Sequence, residues 1–316
     1  MSIGWLFPGQ GSQAVGMGKD LLAASPAARA VFEQADAVLG EPLSRTILEG
    51  PEETLTLTAN AQPALLTMSQ ALLAALRERV PALPAPVLAA GHSLGEYSAL
   101  VAAGALAFDD ALRVVRARGA AMQDAVAAGV GAMSAIIGVA PDRVEAICAE
   151  VANGEVVAPA NFNAPGQIVI AGHAGAVARA AAMIAAEKGR VIPLKVSAPF
   201  HCALMKPASL ALAGKLETCD VRALQFPVVA NFDAAPNADA SRVKGLLVAQ
   251  VAGPVRWEAS VLRMAAQGVT HVIEIGPGKV LTGLVRRIAR DMKTFNVSDV
   301  ESLALASAFV AEAAAA

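Results

Sequence analysis

The sequence predicts an α/β protein: a larger unit of short strands alternating with helices, interrupted by a small ferredoxin-like insert. Three observations predict it. Short apolar runs end in Pro-Gly or Gly turns and give way to helical patterns. Between Ala132 and Val196 the order becomes β-α-β-β-α-β, the split β-α-β pattern of ferredoxin-like units. The chain of 316 residues is 55% hydrophobic and 16% charged, which is ample for a well-buried core. The larger unit is expected over residues 1–126 and 200–316, and the insert over 127–199.

Taken in order, Ile3 to Phe7 is an apolar run ending in Pro-Gly, a buried strand that delivers a loop. Pro63 to Val80 has helical spacing, with Leu65, Leu66, Leu72, Leu73 and Leu76 recurring on one side. Val87 to Ala90 is a short strand, and Gly91-His92-Ser93-Leu94-Gly95 turns from it into an apolar helix over Glu96 to Ala105. A further helix is expected from Asp109, as N-cap, to Val126. In the insert, Ala132–Val139, Val156–Asn161, Gln167–Ala171 and Arg190–Val196 read as strands. Pro141–Val151, with proline in its first turn, and the alanine-rich Ala174–Lys188 read as helices. After Pro199 come strands at Gln225–Asn231 and His271–Ile275, with helices near Ser241–Val251 and Val255–Gln267. Gly276-Pro277-Gly278 then opens a basic helix carrying Arg286, Arg287, Arg290 and Lys293, and the alanine-rich end gives no signal.

Composition excludes several classes. A net charge of −2 and a pI near 6.1, with 4% aromatic residues, do not suit a nucleic-acid binder. Mean hydropathy is positive, at +0.52. Yet the longest uncharged stretch, Thr54 to Leu76, is broken by Asn60, Gln62 and Pro63 and is no run of about twenty apolar residues. No Lys or Arg precedes Lys19, so a secretory signal is not expected. Cys148, Cys202 and Cys219 match no metal or disulfide spacing. A reducing, cytoplasmic setting with no membrane contact is expected.

The chemistry centres on Gly91-His92-Ser93-Leu94-Gly95. A serine flanked by glycines at two-residue spacing, between strand and helix, is a nucleophile elbow. Its oxygen points into a cleft, while the N–H of Leu94 and the helix N-terminus face a developing oxyanion. A serine hydroxyl needs a base, and histidine is the usual one at neutral pH. Four are present: His92, His173, His201 and His271. His201 is preferred for its place in the loop Ser197-Ala198-Pro199-Phe200-His201-Cys202, although spacing alone leaves the other three open. Gly276-Pro277-Gly278-Lys279 is not a P-loop, because Ile273 stands where the first glycine is required.

Five separated stretches resemble the malonyl-CoA:carrier-protein transacylases. They are Phe7-Pro8-Gly9-Gln10-Gly11-Ser12-Gln13, Gly91 to Leu100, Asn161-Phe162-Asn163 with Pro165-Gly166-Gln167, His201 to Pro207, and Glu274 to Leu281. The resemblance runs in the family's order over roughly residues 4 to 296. It implies a hydrolase-like parallel sheet with a ferredoxin-like insert, in agreement with the elements above. It also implies Ser93 as nucleophile and His201 as general base and acid. The backbone N–H groups of Gln10 and Leu94 would form the oxyanion hole, and Arg118 would grip the malonyl carboxylate. The Gln250 carbonyl would orient the histidine in place of a triad carboxylate, which fixes the tautomer but stabilises imidazolium less. In related acyltransferase domains, residues such as Leu94 and Phe200 accompany malonyl rather than methylmalonyl, although stand-alone members often carry serine where this chain has Phe200. The implied reaction is ping-pong transfer from malonyl-CoA to acyl carrier protein, without metal or redox cofactor, by a monomer. An acidic carrier requires a local basic patch, for which Arg286, Arg287 and Arg290 are candidates. Two other readings compete: a hydrolase or thioesterase on a related sheet, and a non-catalytic module that keeps the fold.

Overall fold

Ile3, Trp5, Leu6 and Phe7 are buried on both faces of their strand, as in the centre of a parallel sheet covered by helices on each side. The computed structural model describes residues 2–196 and 198–315. Its strands are β1 (Ile3–Phe7), β2 (Leu88–Gly91), β3 (Gly131–Ile137), β4 (Val157–Ala164), β5 (Gln167–His173), β6 (Arg190–Pro193), β7 (Val228–Val229), β8 (Pro236–Asn237), β9 (His271–Ile275) and β10 (Lys293–Val297). One sheet runs β10-β9-β1-β2-β7-β8, parallel except for the antiparallel edge strand β8. The second runs β4-β5-β3-β6, antiparallel throughout, the ferredoxin-like order.

In the first sheet, Phe7 at the end of β1 pairs with Gly91 at the end of β2, so the loops leaving these strands emerge side by side. Such a crevice at the carboxyl ends of parallel strands is where α/β proteins place their ligands. Close approach there demands glycine. A Cβ on Gly95 would lie 2.0 Å from the Phe7 carbonyl oxygen, and one on Gly91 would lie 1.9 Å from the Gly95 carbonyl carbon.

The helix expected from Pro63 begins at Thr58 and runs to Arg79, buried along most of its length. Pro63 has no N–H to offer the Ala59 carbonyl, a loss that ordinarily breaks a helix. Here Arg116 Nη1 donates to that carbonyl at 2.8 Å and restores the missing bond. Arg116 belongs to the helix Phe108–Asp124. That helix is capped by Ala107, not Asp109, which sits in the first turn and accepts from Gln34 Nε2 at 2.6 Å.

The second sheet carries the helices Pro141–Val151 and Ala174–Ala186 and has its own core, with Ile136, Ile147, Ile168, Ile170 and Ile184. Its β4 edge is tied to the larger part. Phe162 N donates to the Val255 carbonyl and Val255 N to the Ala160 carbonyl, each at 2.9 Å.

Several expectations are corrected. β4 continues to Ala164, leaving a two-residue turn of Pro165 and Gly166, with Gly166 at φ 65°. The strand expected to reach Val196 stops at Pro193, and Ser197 lies outside the described residues. The strand expected over Gln225–Asn231 is two residues long, Val228–Val229: before it Gln225 N donates to the Ala103 carbonyl, and after it Ala230 N turns back to the Ala235 carbonyl. The basic helix covers only Val280–Ile288, so Arg290 lies beyond it and Lys293 begins β10. Arg287 is also engaged, donating to Gln167 and to the Pro165 carbonyl and so clasping the hairpin of the second sheet. These arginines therefore form no continuous helical stripe. The chain's end is a helix, Val300–Ala315, that buries Leu303, Ala306, Val310 and Ala313. Helices at Lys19–Ala24, Pro26–Leu39, Leu43–Glu49, Glu52–Thr56 and Lys206–Glu217 complete the layers and were not anticipated. Among the described residues no helix is long and apolar enough to cross a membrane.

Candidate active site

Ser93 leaves β2 with φ 51°, a left-handed backbone that non-glycine residues rarely adopt. The strain is held by hydrogen bonds. Its N–H donates to Asn231 Oδ1 at 2.6 Å, and its carbonyl accepts from Gln250 Nε2 at 3.0 Å. Asn231 also donates from Nδ2 to the Gly91 carbonyl at 2.7 Å, closing the elbow from behind. Such strain concentrates where function needs a side chain aimed outward.

His201, also at positive φ (59°), lies with Nε2 at 2.8 Å from Ser93 Oγ. Its Nδ1 is 2.9 Å from the Gln250 carbonyl oxygen. A carbonyl only accepts, so Nδ1 carries the proton and Nε2 is left to accept from the hydroxyl. Burial, followed by the nearby Arg118 charge, pushes the imidazole down to about 3, so the ring is neutral near pH 7. The other three histidines are occupied elsewhere. His92 Nε2 meets Asn163 Oδ1 at 2.9 Å, His173 Nδ1 accepts from Val156 N at 2.9 Å, and His271 Nδ1 meets Thr270 Oγ1 at 2.8 Å.

Arg118 is 1% exposed, which is rare for a guanidinium. Nη1 donates to Gln62 Oε1 at 2.8 Å, and Nη2 to Gln250 Oε1 at 2.9 Å and to Ser93 Oγ at 3.2 Å. Its ring neighbour is Tyr97, 5.4 Å from the guanidinium carbon to the centroid. Neutral amides thus hold a buried cation, and no carboxylate among the described residues forms an ion pair with it. Arg113 faces solvent beside Asp110, and Arg116 is bound to Glu41, Asn60 and the Ala59 carbonyl. Of the three arginines on this helix, Arg118 is the one brought to the serine.

A cavity of about 230 Å³ opens above these groups. Gln10, Leu94 and Phe200 line it together with Ser93, Arg118 and His201. Gln10 also donates from Nε2 to Thr58 Oγ1 at 3.2 Å. Gln250 lies behind the wall, fully buried, and serves through both its carbonyl and its side chain. Three residues of the site were not anticipated: Gln62, Glu96 and Asn231. Each is a polar residue buried in or beside an apolar segment, which is the one signal in the sequence that could have marked them.

A serine on a strained elbow, a neutral imidazole at hydrogen-bond distance and a buried unpaired cation define a class. It is an α/β serine enzyme equipped to take an acyl group that carries a negative charge. The chain belongs to the acyl transferase domain family, which matches residues 4–312. It is 50% identical over 307 residues to the malonyl CoA-acyl carrier protein transacylase of Bacillus subtilis, covering 96% of each chain. It is 48% identical over 303 residues to the enzyme of that name from Escherichia coli, covering 96% of this chain and 97% of the relative. Among solved structures it resembles an acyl carrier protein S-malonyltransferase from Vibrio cholerae, with a TM-score of 0.93 and 47% identity over 96% of this chain and 99% of that one. It also resembles a malonyl-transacylase solved in complex with its type II polyketide acyl-carrier protein, with a TM-score of 0.94 and 46% identity over 97% and 99%.

Proposed function

We propose that this protein transfers a malonyl group from malonyl-CoA to the phosphopantetheine thiol of an acyl carrier protein, through a malonyl ester on Ser93. The observation that carries this reading is the buried Arg118, paired with no carboxylate among the described residues and 3.2 Å from the Ser93 hydroxyl. A carboxylate brought into a dry cleft must be paired, and a guanidinium stays charged on burial and can fork onto both oxygens. A hydrolase of neutral esters has no use for such a cation, and a non-catalytic module has no use for the serine-histidine contact.

In the first half-reaction the Ser93 hydroxyl proton passes to His201 Nε2 as Oγ bonds to the thioester carbon. The backbone N–H groups of Gln10 and Leu94 receive the oxyanion. Collapse breaks the C–S bond, and the CoA sulfur leaves with the proton from His201. In the second half the carrier thiol gives its proton to His201 and attacks the ester carbon. Ser93 Oγ leaves and recovers that proton. Phe200 and the Leu94 side of the cavity limit the acyl group to malonyl over branched analogues. The residues 127–199 act as a separate insert beside a catalytic unit of 1–126 and 200–316. The protein works as a monomer in the cytoplasm, supplying extender units for fatty-acid synthesis.

Peptide mapping by mass spectrometry after mixing with malonyl-CoA alone tests the reading, because the first half-reaction needs no carrier. The expected result is one malonyl adduct on the peptide containing Ser93, discharged by added carrier protein and absent in Ser93→Ala. An adduct on Cys202, or discharge by water as fast as by carrier, would refute it. Discharge rates across fatty-acid and polyketide carriers identify the pathway.

A further inference from the structure

Glu96 stands in the first turn of the helix Gly95–Ala102 and is 2% exposed. Its Oε2 accepts from Gln250 Nε2 at 2.7 Å and from the Asn231 backbone N–H at 2.9 Å. These two partners are also the residues that hold the reacting pair. Gln250 carries the carbonyl on His201 Nδ1, and its Nε2 also reaches the Ser93 carbonyl. Asn231 Oδ1 accepts the Ser93 N–H. One carboxylate therefore braces both the nucleophile and the base from behind.

The same residue sits in an electrical balance. Arg118 Nη2 donates to Gln250 Oε1, and Gln250 Nε2 donates to Glu96, so a single neutral amide separates a buried guanidinium from a buried carboxylate. Neither charge is easily buried alone. A direct ion pair would close the guanidinium against a substrate carboxylate. Placing the counter-charge one amide away balances Arg118 and leaves it able to bind. During transfer a second positive charge forms on His201, beside Arg118, and a carbonyl partner answers it less well than a carboxylate.

We propose that Glu96 is a positioning residue for acyl transfer: through Gln250 and Asn231 it fixes Ser93 and His201, and its ionised carboxylate offsets the charge that forms on the imidazole. The proposal rests on the serine-histidine reading above. The charged and titratable groups acting on Glu96 are Arg118 from the neighbouring helix, Asp233 from the loop after β7, and Tyr97 beside it on its own helix. His201 lies across Gln250. Burial raises the Glu96 carboxyl to about 7, so the charge on which transfer depends is gained near neutral pH.

Glu96→Gln separates charge from geometry, because one amide oxygen can accept both N–H bonds that Oε2 now accepts. The measurement is the single-turnover loading rate of Ser93 by malonyl-CoA and by acetyl-CoA, read by quench and intact mass from about pH 5.5 to 8.5. The wild-type rate should rise with pH as Glu96 ionises. Glu96→Gln should lack that rise and load about ten- to a hundredfold more slowly at high pH, with both acyl groups affected alike. This loss is smaller than the ~10⁴-fold that follows removal of a directly bonded triad carboxylate, since this charge is farther away. Wild-type loading that is flat across this range would overturn the proposal without recourse to any variant. So would Glu96→Gln loading at the wild-type rate, or slowed equally at every pH as a purely structural role requires. A failure of the wild type to form any Ser93 adduct would instead sink the reading beneath it.

Discussion

Removing the Arg118 guanidinium is the perturbation that most directly tests recognition of a charged acyl group. Arg118→Ala deletes a cation that is 1% exposed and leaves Gln62 Oε1 and Gln250 Oε1 without their donor. It also withdraws the Nη2 contact from Ser93 Oγ. If the cation pairs with the malonyl carboxylate, truncating one side of a buried charge pair costs roughly 2–5 kcal/mol, or about 30- to several-thousand-fold in kcat/KM. Acetyl-CoA has no carboxylate and should lose much less. Arg118 also helps to hold His201 low, so its removal raises the basicity of the imidazole and favours the uncharged substrate. The assay is the ratio of malonyl-CoA to acetyl-CoA loading, measured beside a thermal melt. Arg113→Ala, on the exposed face of the same helix, should leave the ratio untouched. Arg116→Ala should lower the melting temperature without moving the ratio, because Arg116 satisfies the carbonyl orphaned by Pro63. Equal losses for both substrates in folded Arg118→Ala would show that the arginine is structural and that carboxylate recognition lies elsewhere.

Other outcomes follow from the same geometry. His201→Ala should cut loading by about 10²–10⁴-fold, while His173→Ala and His271→Ala, whose rings bond elsewhere, stay near wild type in a steady-state assay. Glu96→Gln should make the fold more stable above neutrality. The Glu96 carboxyl is raised from 4.5 to about 7 by burial, so between those values the folded chain keeps a proton that the unfolded chain releases, and stability falls as pH rises. The full effect is about 3 kcal/mol, present above pH ~7 and absent below ~4.5, and urea unfolding at two pH values reads it. Gly95→Ala should give little folded protein, since its Cβ would press on the Phe7 carbonyl; a soluble, active Gly95→Ala enzyme would contradict the close approach of β1 and the elbow.

Much of the frame was legible along the chain because local signals were strong. Ile3–Phe7, Pro141–Val151 and His271–Ile275 run between the ends read from their apolar runs and flanking turns. The elbow could be read because its two glycines answer a local steric demand at fixed spacing. The final helix was not legible. An alanine-rich segment offers little contrast between its faces, and only contact with the rest of the fold selects Leu303, Ala306 and Val310 for burial.

The site divides in the same way. Residue type and local turn were enough to mark Ser93 as the candidate nucleophile and to place His201 in a loop among three other histidines. Which arginine faces the serine was a tertiary matter. Arg116 and Arg118 are two positions apart, about 200° around the helix, so periodicity separates them but cannot say which side meets the cleft. Glu96, Asn231 and Gln250 belong to segments separated by as many as 154 residues, yet they converge on one carboxylate. No local pattern encodes that meeting. It is set by parallel strand pairing, which brings the ends of β1, β2 and β7 side by side, and by the burial that makes each polar atom there find a partner.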